Sequence, residues 1–267
     1  MAVLSLAALT LLDAGPAGQI KAAAAAGFDH VGLRLNPLVP SDQIIVGDLV
    51  KENEIMRLLE EHRMSVLEIG VFPITPHINL NALMPILTFS AKIGAHYIVC
   101  PIEDTHDDRA LAHFALLCDA AAPLGITALV EFNPYSACKN LNKAVRFVER
   151  AERSNAALVI DVLHLSRSGG HPRDLLTLDP SLIELVHFCD ASAFKADGRS
   201  EDELRQESRT ARLLPGEGEL WLDELLDVLP AHCSISVEAP SRLHADKSAE
   251  QRASLAYKAS MKVLSAH

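Results

Sequence analysis

Apolar residues along this chain gather into eight short runs rich in valine, isoleucine and leucine, at residues 3–10, 30–35, 65–72, 95–102, 127–134, 157–164, 185–191 and 234–241. Within a run such as ALVIDVLH the apolar positions are consecutive rather than alternating. A strand with one face in water alternates, whereas a strand covered on both faces does not, so the runs predict a buried parallel sheet. Between them the period changes. Residues 15–27, 49–64, 80–94, 107–125, 141–154 and 220–230 space their apolar side chains three and four apart, as on one face of a helix. Gly27, Gly94 and Gly125 close three of these segments, where a helix C-terminus favours a left-handed residue.

Strand starts recur about every thirty residues, the length of a β-α-β unit. Eight units in 267 residues predict a single-domain (β/α)8 TIM barrel rather than an open sheet, and no linker or low-complexity tract divides the chain. The beat breaks once. Between the seventh and eighth runs about forty residues replace the usual connection, and residues 192–220 are charged and punctuated by glycine. That stretch is expected as an insertion after strand seven, a lid or substrate loop on the catalytic face.

Composition narrows the function. Hydrophobic residues at 49% and charged residues at 22% are ordinary for a soluble enzyme. Aromatics at 4% offer few stacking platforms for bases, and a net charge of -11 repels a phosphate backbone, which together exclude a general nucleic-acid binder. No apolar run is long enough to span a membrane. Five cysteines, an odd number without a CxxC pair, fit free thiols in a reducing compartment. The apolar start lacks a basic segment and reads as the first strand rather than a signal peptide, so a cytoplasmic protein is expected.

The chemistry lies at the ends of the last four strands. Glu131 lies at the end of strand five in VEFNP, Asp161 and His164 lie in DVLH, His187 and Asp190 in VHFCD, and Glu238 in SVEAP. In a barrel those ends meet on one face. A lone carboxylate at a strand end is usually a helix cap or a loop solvator. Three carboxylates brought together repel one another and raise their own pKa values unless a cation neutralises them. Oxygen donors with one imidazole suit a divalent ion of hard to borderline character, Mn²⁺ or Mg²⁺ first and Co²⁺, Fe²⁺ or Zn²⁺ as competitors.

Taken in order, VEFNP, DVLH, VHFCD, PGEG and SVEAP resemble the xylose-isomerase-like barrels, the superfamily of sugar isomerases and epimerases, dehydroshikimate and inosose dehydratases, and endonuclease IV. The resemblance runs over almost the whole chain. It implies one metal ion held by Glu131, Asp161, His187 and Glu238, with Glu131 and Glu238 as the acid/base pair and His164 against the substrate. A metal beside a ketone acidifies the neighbouring C–H and stabilises the enediolate, and carboxylates on its two faces can move the proton from one side to the other. The leading expectation is an isomerase or epimerase of a small keto-sugar or related polyol. A metal-dependent lyase of the dehydroshikimate or inosose dehydratase type shares the first step, with His164 serving as the acid at the departing hydroxyl. A barrel that only binds a ligand is the third reading, and the intact four-residue set argues against it. This chain departs from both enzyme subgroups. Ala137 and Ala193 stand where the epimerases have a glutamate and an arginine, and Asn133 and Cys189 where the dehydroshikimate dehydratases have a histidine and a lysine.

Further candidates for substrate contact are Glu68 on strand three, Arg34 on strand two, and Arg209 and Arg212 in the insertion, whose plainer reading is a charged helix. Glu103, Asp104 and His106 read as a solvated loop, Asp190 as an acceptor that orients a ligand, Gly216 to Gly218 as a structural turn and Trp221 as packing. The expected partner is a small carbohydrate-like molecule, with no nucleic acid or membrane, and with a homo-oligomer left open beside a monomer.

Overall fold

Residues 3–193 and 198–267 are described by the computed structural model. Eight parallel strands, β1 (Leu4–Leu6), β2 (His30–Leu33), β3 (Ser65–Ile69), β4 (Tyr97–Pro101), β5 (Thr127–Glu131), β6 (Ala156–Asp161), β7 (Ile183–Phe188) and β8 (Ser234–Val237), close into a barrel in sequence order. β8 pairs back onto β1, Leu6 facing Val237. Thr10 fastens that seam, its hydroxyl donating to the Val237 carbonyl at 2.8 Å and accepting from the Ala239 N–H at 2.9 Å. The helices are α1 (Gly15–Ala26), α2 (Leu49–His62), α3 (Leu80–Lys92), α4 (Asp107–Ala121), α5 (Leu141–Ala151), α6 (Val162–Arg167), α7 (Glu201–Thr210), α8 (Leu222–Val228) and α9 (Ala249–Ala266). The chain is a (β/α)8 TIM barrel.

Two elements differ from the sequence expectation. The run 157–164 is not one strand: β6 ends at Asp161, whose side chain accepts from the His164 N–H at 2.9 Å and so caps α6. An aspartate there satisfies a free helix N–H, which turns the backbone although the apolar run continues. α9 carried no clear apolar stripe, because its buried face is small, Ala253, Ala256 and Ser260. It lies against the first β-α unit, where Tyr257 packs edge-to-face on Phe28 at 5.1 Å.

The pleat places the site. Side chains two apart share a face of a strand, and Leu129, Val159 and Leu185 fill the barrel interior with Leu67, Val99 and Ala157. Two residues on, the same faces of β5, β6 and β7 carry Glu131, Asp161 and His187. The packed interior is therefore floor to the polar layer, and register sets Asp161 directly opposite His187.

Within the stretch expected as an insertion, residues 194–197 lie outside the described residues. Beyond them Ser200 and Glu203 form a capping box that starts α7. The chain then returns to the barrel through the Asp190–Leu213 pair, 2.9 and 2.8 Å, and the bond from Arg212 N–H to the Pro240 carbonyl at 3.1 Å. The five cysteines are buried free thiols, and no described helix is long and apolar enough to cross a membrane.

Candidate functional site

Glu131, Asp161, His187 and Glu238 each offer one donor atom, and the four atoms lie within 4.8 Å of one another. His187 is the hub. Its Nδ1 stands 3.4 Å from Glu131 Oε1, 3.5 Å from Glu238 Oε2 and 3.9 Å from Asp161 Oδ2. Both its ring nitrogens are buried and make no hydrogen bond. Burial alone would lower the pKa of this imidazole, but Glu238, Glu131 and Glu68 outweigh it and hold the ring up to about 10. Burial pushes Glu238 up to about 7, and its negative neighbours Asp161 and Glu131 add to that. For Asp161 burial acts in the same direction, but Arg212, His164 and His187 hold the carboxyl well below the usual range.

Arg212 reaches deeper than the sequence suggested. Its side chain is 1% exposed, with Nη1 2.6 Å from Asp161 Oδ2 and Nη2 3.0 Å from Glu238 Oε2, while Nε donates to the Ser208 carbonyl at 2.7 Å. Three carboxylates against this one guanidinium leave two negative charges, the complement of one divalent cation bound by a neutral imidazole. The unpartnered nitrogens of His187 and this charge balance fit a metal ion.

Glu68 lies on the far side of His187. Its Oε1 accepts from Ser236 Oγ at 2.7 Å and stands 3.9 Å from His187 Nε2, while Oε2 is buried without a partner. Burial raises this carboxyl. Gly32 makes room for it, since a Cβ there would meet Glu68 Oε1 at 2.4 Å. Glu68 lines a small space of about 20 Å³ with Arg34, His187 and Glu238, beside the mouth pocket of about 150 Å³ walled by Arg34, Glu131, Tyr135, His164, Arg209 and Arg212, among others.

His164 is 2% exposed, and burial lowers its pKa against the opposing pull of Asp161. Tyr135 stands edge-on to it at 5.5 Å, with its hydroxyl 3.4 Å from His164 Nε2 and 2.6 Å from Ser208 Oγ. Arg205 covers the Tyr135 ring at 4.5 Å and donates to the Tyr135 carbonyl at 3.2 Å. The stretch around α7 therefore does two things at once: it is a charged helix, and it brings arginines to the mouth. The sequence reading missed Tyr135, Ser208 and Arg205. Tyr135 lies four residues after Glu131, which was the one local signal.

Two expectations need correction. Asp190 does not orient His187; its carboxylate accepts from the N–H groups of Ala191, Gly216, Gly218 and Leu220, and so holds the PGEG turn. A Cβ at Gly218 would lie 2.4 Å from the Ala191 carbonyl oxygen, which explains the glycine. Asp104 is not solvated. It is fully covered, takes two bonds from Arg109 at 2.6 and 2.8 Å, and accepts from the His106 N–H at 2.9 Å. Trp221 is packed against His171, ring centres 5.1 Å apart.

The sequence profile of the xylose isomerase-like TIM barrel family matches residues 20–266. The chain belongs to that family. No curated protein sequence matches this chain. Among solved structures it is similar to the IOLI protein with a bound zinc atom, at TM-score 0.82 and 19% identity over 100% of this chain and 99% of that one. It is also similar to D-allulose 3-epimerase from Methylomonas sp. in complex with D-allulose, at TM-score 0.71 and 15% identity over 99% and 96%. D-psicose 3-epimerase from Clostridium cellulolyticum H10 with D-tagatose gives TM-score 0.71 and 15% identity over 99% of both chains. At such identities the likeness is one of fold.

Proposed function

We propose that this xylose isomerase-like barrel is a divalent-metal-dependent isomerase or epimerase of a small keto-sugar or related polyol. The observation that carries the reading is the convergence of one donor atom each from Glu131, Asp161, His187 and Glu238 within 4.8 Å, at a polar mouth. The zinc in the IOLI structure and the ketoses in the two epimerase structures support it. The four residues hold one ion, Mn²⁺ or Mg²⁺ by donor type, with Co²⁺, Fe²⁺ and Zn²⁺ competing for the same atoms. When bound, such an ion polarises a substrate oxygen and makes the neighbouring C–H more acidic.

The chain's own residues do the rest. Glu131 and Glu238 stand on β5 and just beyond β8, with β6 and β7 between them, so their carboxylates approach the pocket from two directions. One takes the proton from carbon and the other returns it, each worth about 10²–10⁴-fold in rate. His164, held between Asp161 and Tyr135, orients a substrate hydroxyl. Arg34 and Arg209 contact substrate at the mouth. Arg212 and Glu68 act mainly by fixing the ligand carboxylates and the His187 ring, and Arg212 also borders the pocket. A lyase is the second reading, favoured by the Tyr135–His164 contact of 3.4 Å, a path by which a proton could reach a departing hydroxyl.

Proton NMR in D₂O, with the metal-loaded enzyme and a panel of keto-sugars, keto-inositols and dehydroshikimate, tests this. Deuterium at the α-carbon with every hydroxyl retained is the expected result. New olefinic or aromatic signals replace the isomerase by the lyase. No exchange from any member of the panel, at full metal occupancy, overturns both.

A further inference from the structure

Beside the mouth pocket opens a larger cleft of about 560 Å³, and Arg34 lines both. Its walls come from the start of α1, the β2–α2 loop, the end of α7 and the loop after β8. Charge distinguishes it. Four arginines, Arg34, Arg209, Arg242 and Arg252, face two aspartates, Asp13 and Asp42, an excess of two positive charges in a chain whose net charge is -11.

The four are not equally engaged. Arg252 is spent on Asp13 at 2.6 Å. Arg34 lies 3.8 Å from Asp42, beyond hydrogen-bond reach, and its Nε is buried without a partner. Among the described residues Arg209 and Arg242 reach no carboxylate within ion-pair distance. Guanidinium groups that repel one another around a concave wall are stabilised by an anion between them, and their forked N–H groups match phosphate oxygens.

We propose that this cleft is the subsite for the phosphate of a phosphorylated keto-polyol. The reacting carbons lie over the Glu131–Asp161–His187–Glu238 centre, and the phosphate extends past Arg34 to Arg209 and Arg242. This assignment of substrate class rests on the isomerase or epimerase reading. A phosphate monoester carries a charge of about -1.5 to -2 at neutral pH, which matches the excess of two positive charges, whereas a carboxylate would leave one unmet. The cleft's volume lies within the roughly 300–1,000 Å³ usual for small-ligand sites.

The test separates the subsite from the chemistry. Inorganic phosphate is titrated calorimetrically into the wild type, Arg242→Ala, the double variant Arg209→Ala/Arg242→Ala, and Asp161→Asn. Arg242 is exposed on a short turn, and Arg242→Glu provides a second variant at the same surface position. Phosphate affinity should fall about tenfold or more in Arg242→Ala and vanish in the double and charge-reversal variants. In Asp161→Asn it should stay at the wild-type value while metal is lost. Ketose phosphates, the same ketoses without phosphate, and the corresponding sugar acids are then compared by α-deuterium exchange. The phosphorylated member should lead by tenfold or more in kcat/KM, mostly through KM, and Arg242→Ala should erase that lead. Equal phosphate binding in the wild type and the double variant overturns the subsite. So does turnover of neutral ketoses or sugar acids as efficient as that of the phosphates. Arginine-dependent phosphate binding without exchange from any ketose upholds the subsite and overturns the isomerase reading instead.

Discussion

Arg212→Met is the most informative single change, because it removes charge while keeping an apolar side chain of similar length. In the ion-free protein the guanidinium bonds both Asp161, at 2.6 Å, and Glu238, at 3.0 Å. The two carboxylates do not suffer equally when it goes. Burial already pushes Glu238 up to about 7, so near neutrality it can take a proton and become neutral. Asp161 is held well below the usual range against its burial, and it loses its nearest counter-charge, with the His187 ring left 3.9 Å away. Breaking one buried pair costs about 3–5 kcal/mol, and the lost bond to the Ser208 carbonyl adds about 1 kcal/mol. For a chain of this size the melting temperature should fall on the order of 10–20 °C.

Thermal unfolding in EDTA measures this directly, and adding Mn²⁺ should close much of the gap, since the ion neutralises the same oxygens. The variant should also bind Mn²⁺ at least as tightly as the wild type, because a like charge beside the ion has gone. The pH dependence has a definite sign. A carboxyl whose folded pKa lies below its unfolded value stabilises above the unfolded value, about 4, and loses that contribution as the pH falls through the folded pKa. In Arg212→Met, buried Asp161 lacks its partner, so protonation relieves the protein instead. The gap between the two proteins should therefore be widest near pH 7 and narrow toward pH 4. Equal melting temperatures in EDTA, or a gap that widens in acid, would refute the account of Arg212 as the internal counter-charge.

The other expectations are more local. Glu131→Gln should abolish α-deuterium exchange with the barrel still folded by circular dichroism, and activity near the wild-type level removes Glu131 from the acid/base pair. Asp161→Ala should lose bound metal by elemental analysis, and undiminished metal content takes it out of the ligand set. Tyr135→Phe loses the hydroxyl between Ser208 and His164, so turnover should drop about tenfold at unchanged metal content; unaltered kcat makes the ring mere packing. Asp104 is held at about 2, chiefly by the Arg109 hydrogen bonds. Wild-type stability should fall between pH 4 and 2, and Asp104→Ala should fall less steeply through that window in acid-unfolding measurements; parallel curves for the two proteins reject the assignment.

The barrel and the clustering of the four donor residues were legible for one shared reason: both depend on local pattern. Burial on both faces writes a continuous apolar run, a left-handed position writes a glycine, and barrel closure turns the ends of successive strands into neighbours without further information. Glu131, Asp161, His187 and Glu238 could therefore be grouped although they span more than a hundred positions. What escaped was set by irregular backbone. Arg212 meets Asp161 across 51 positions, and Tyr135 meets Ser208 across 73. Neither of these follows from periodicity, because α7 and the chain after it fold back over the mouth by their own capping box and turn. The depth that Arg212 reaches changes the electrostatic conclusion. Sequence alone assigns all neutralisation of three carboxylates to a metal, which would make the empty site strongly self-repelling. With one charge met from inside the chain, the remainder matches a divalent ion, and the barrel need not await that ion in order to fold. Metal binding then adds stability by linkage, rising with free ion above its dissociation constant, rather than deciding between folded and unfolded chain.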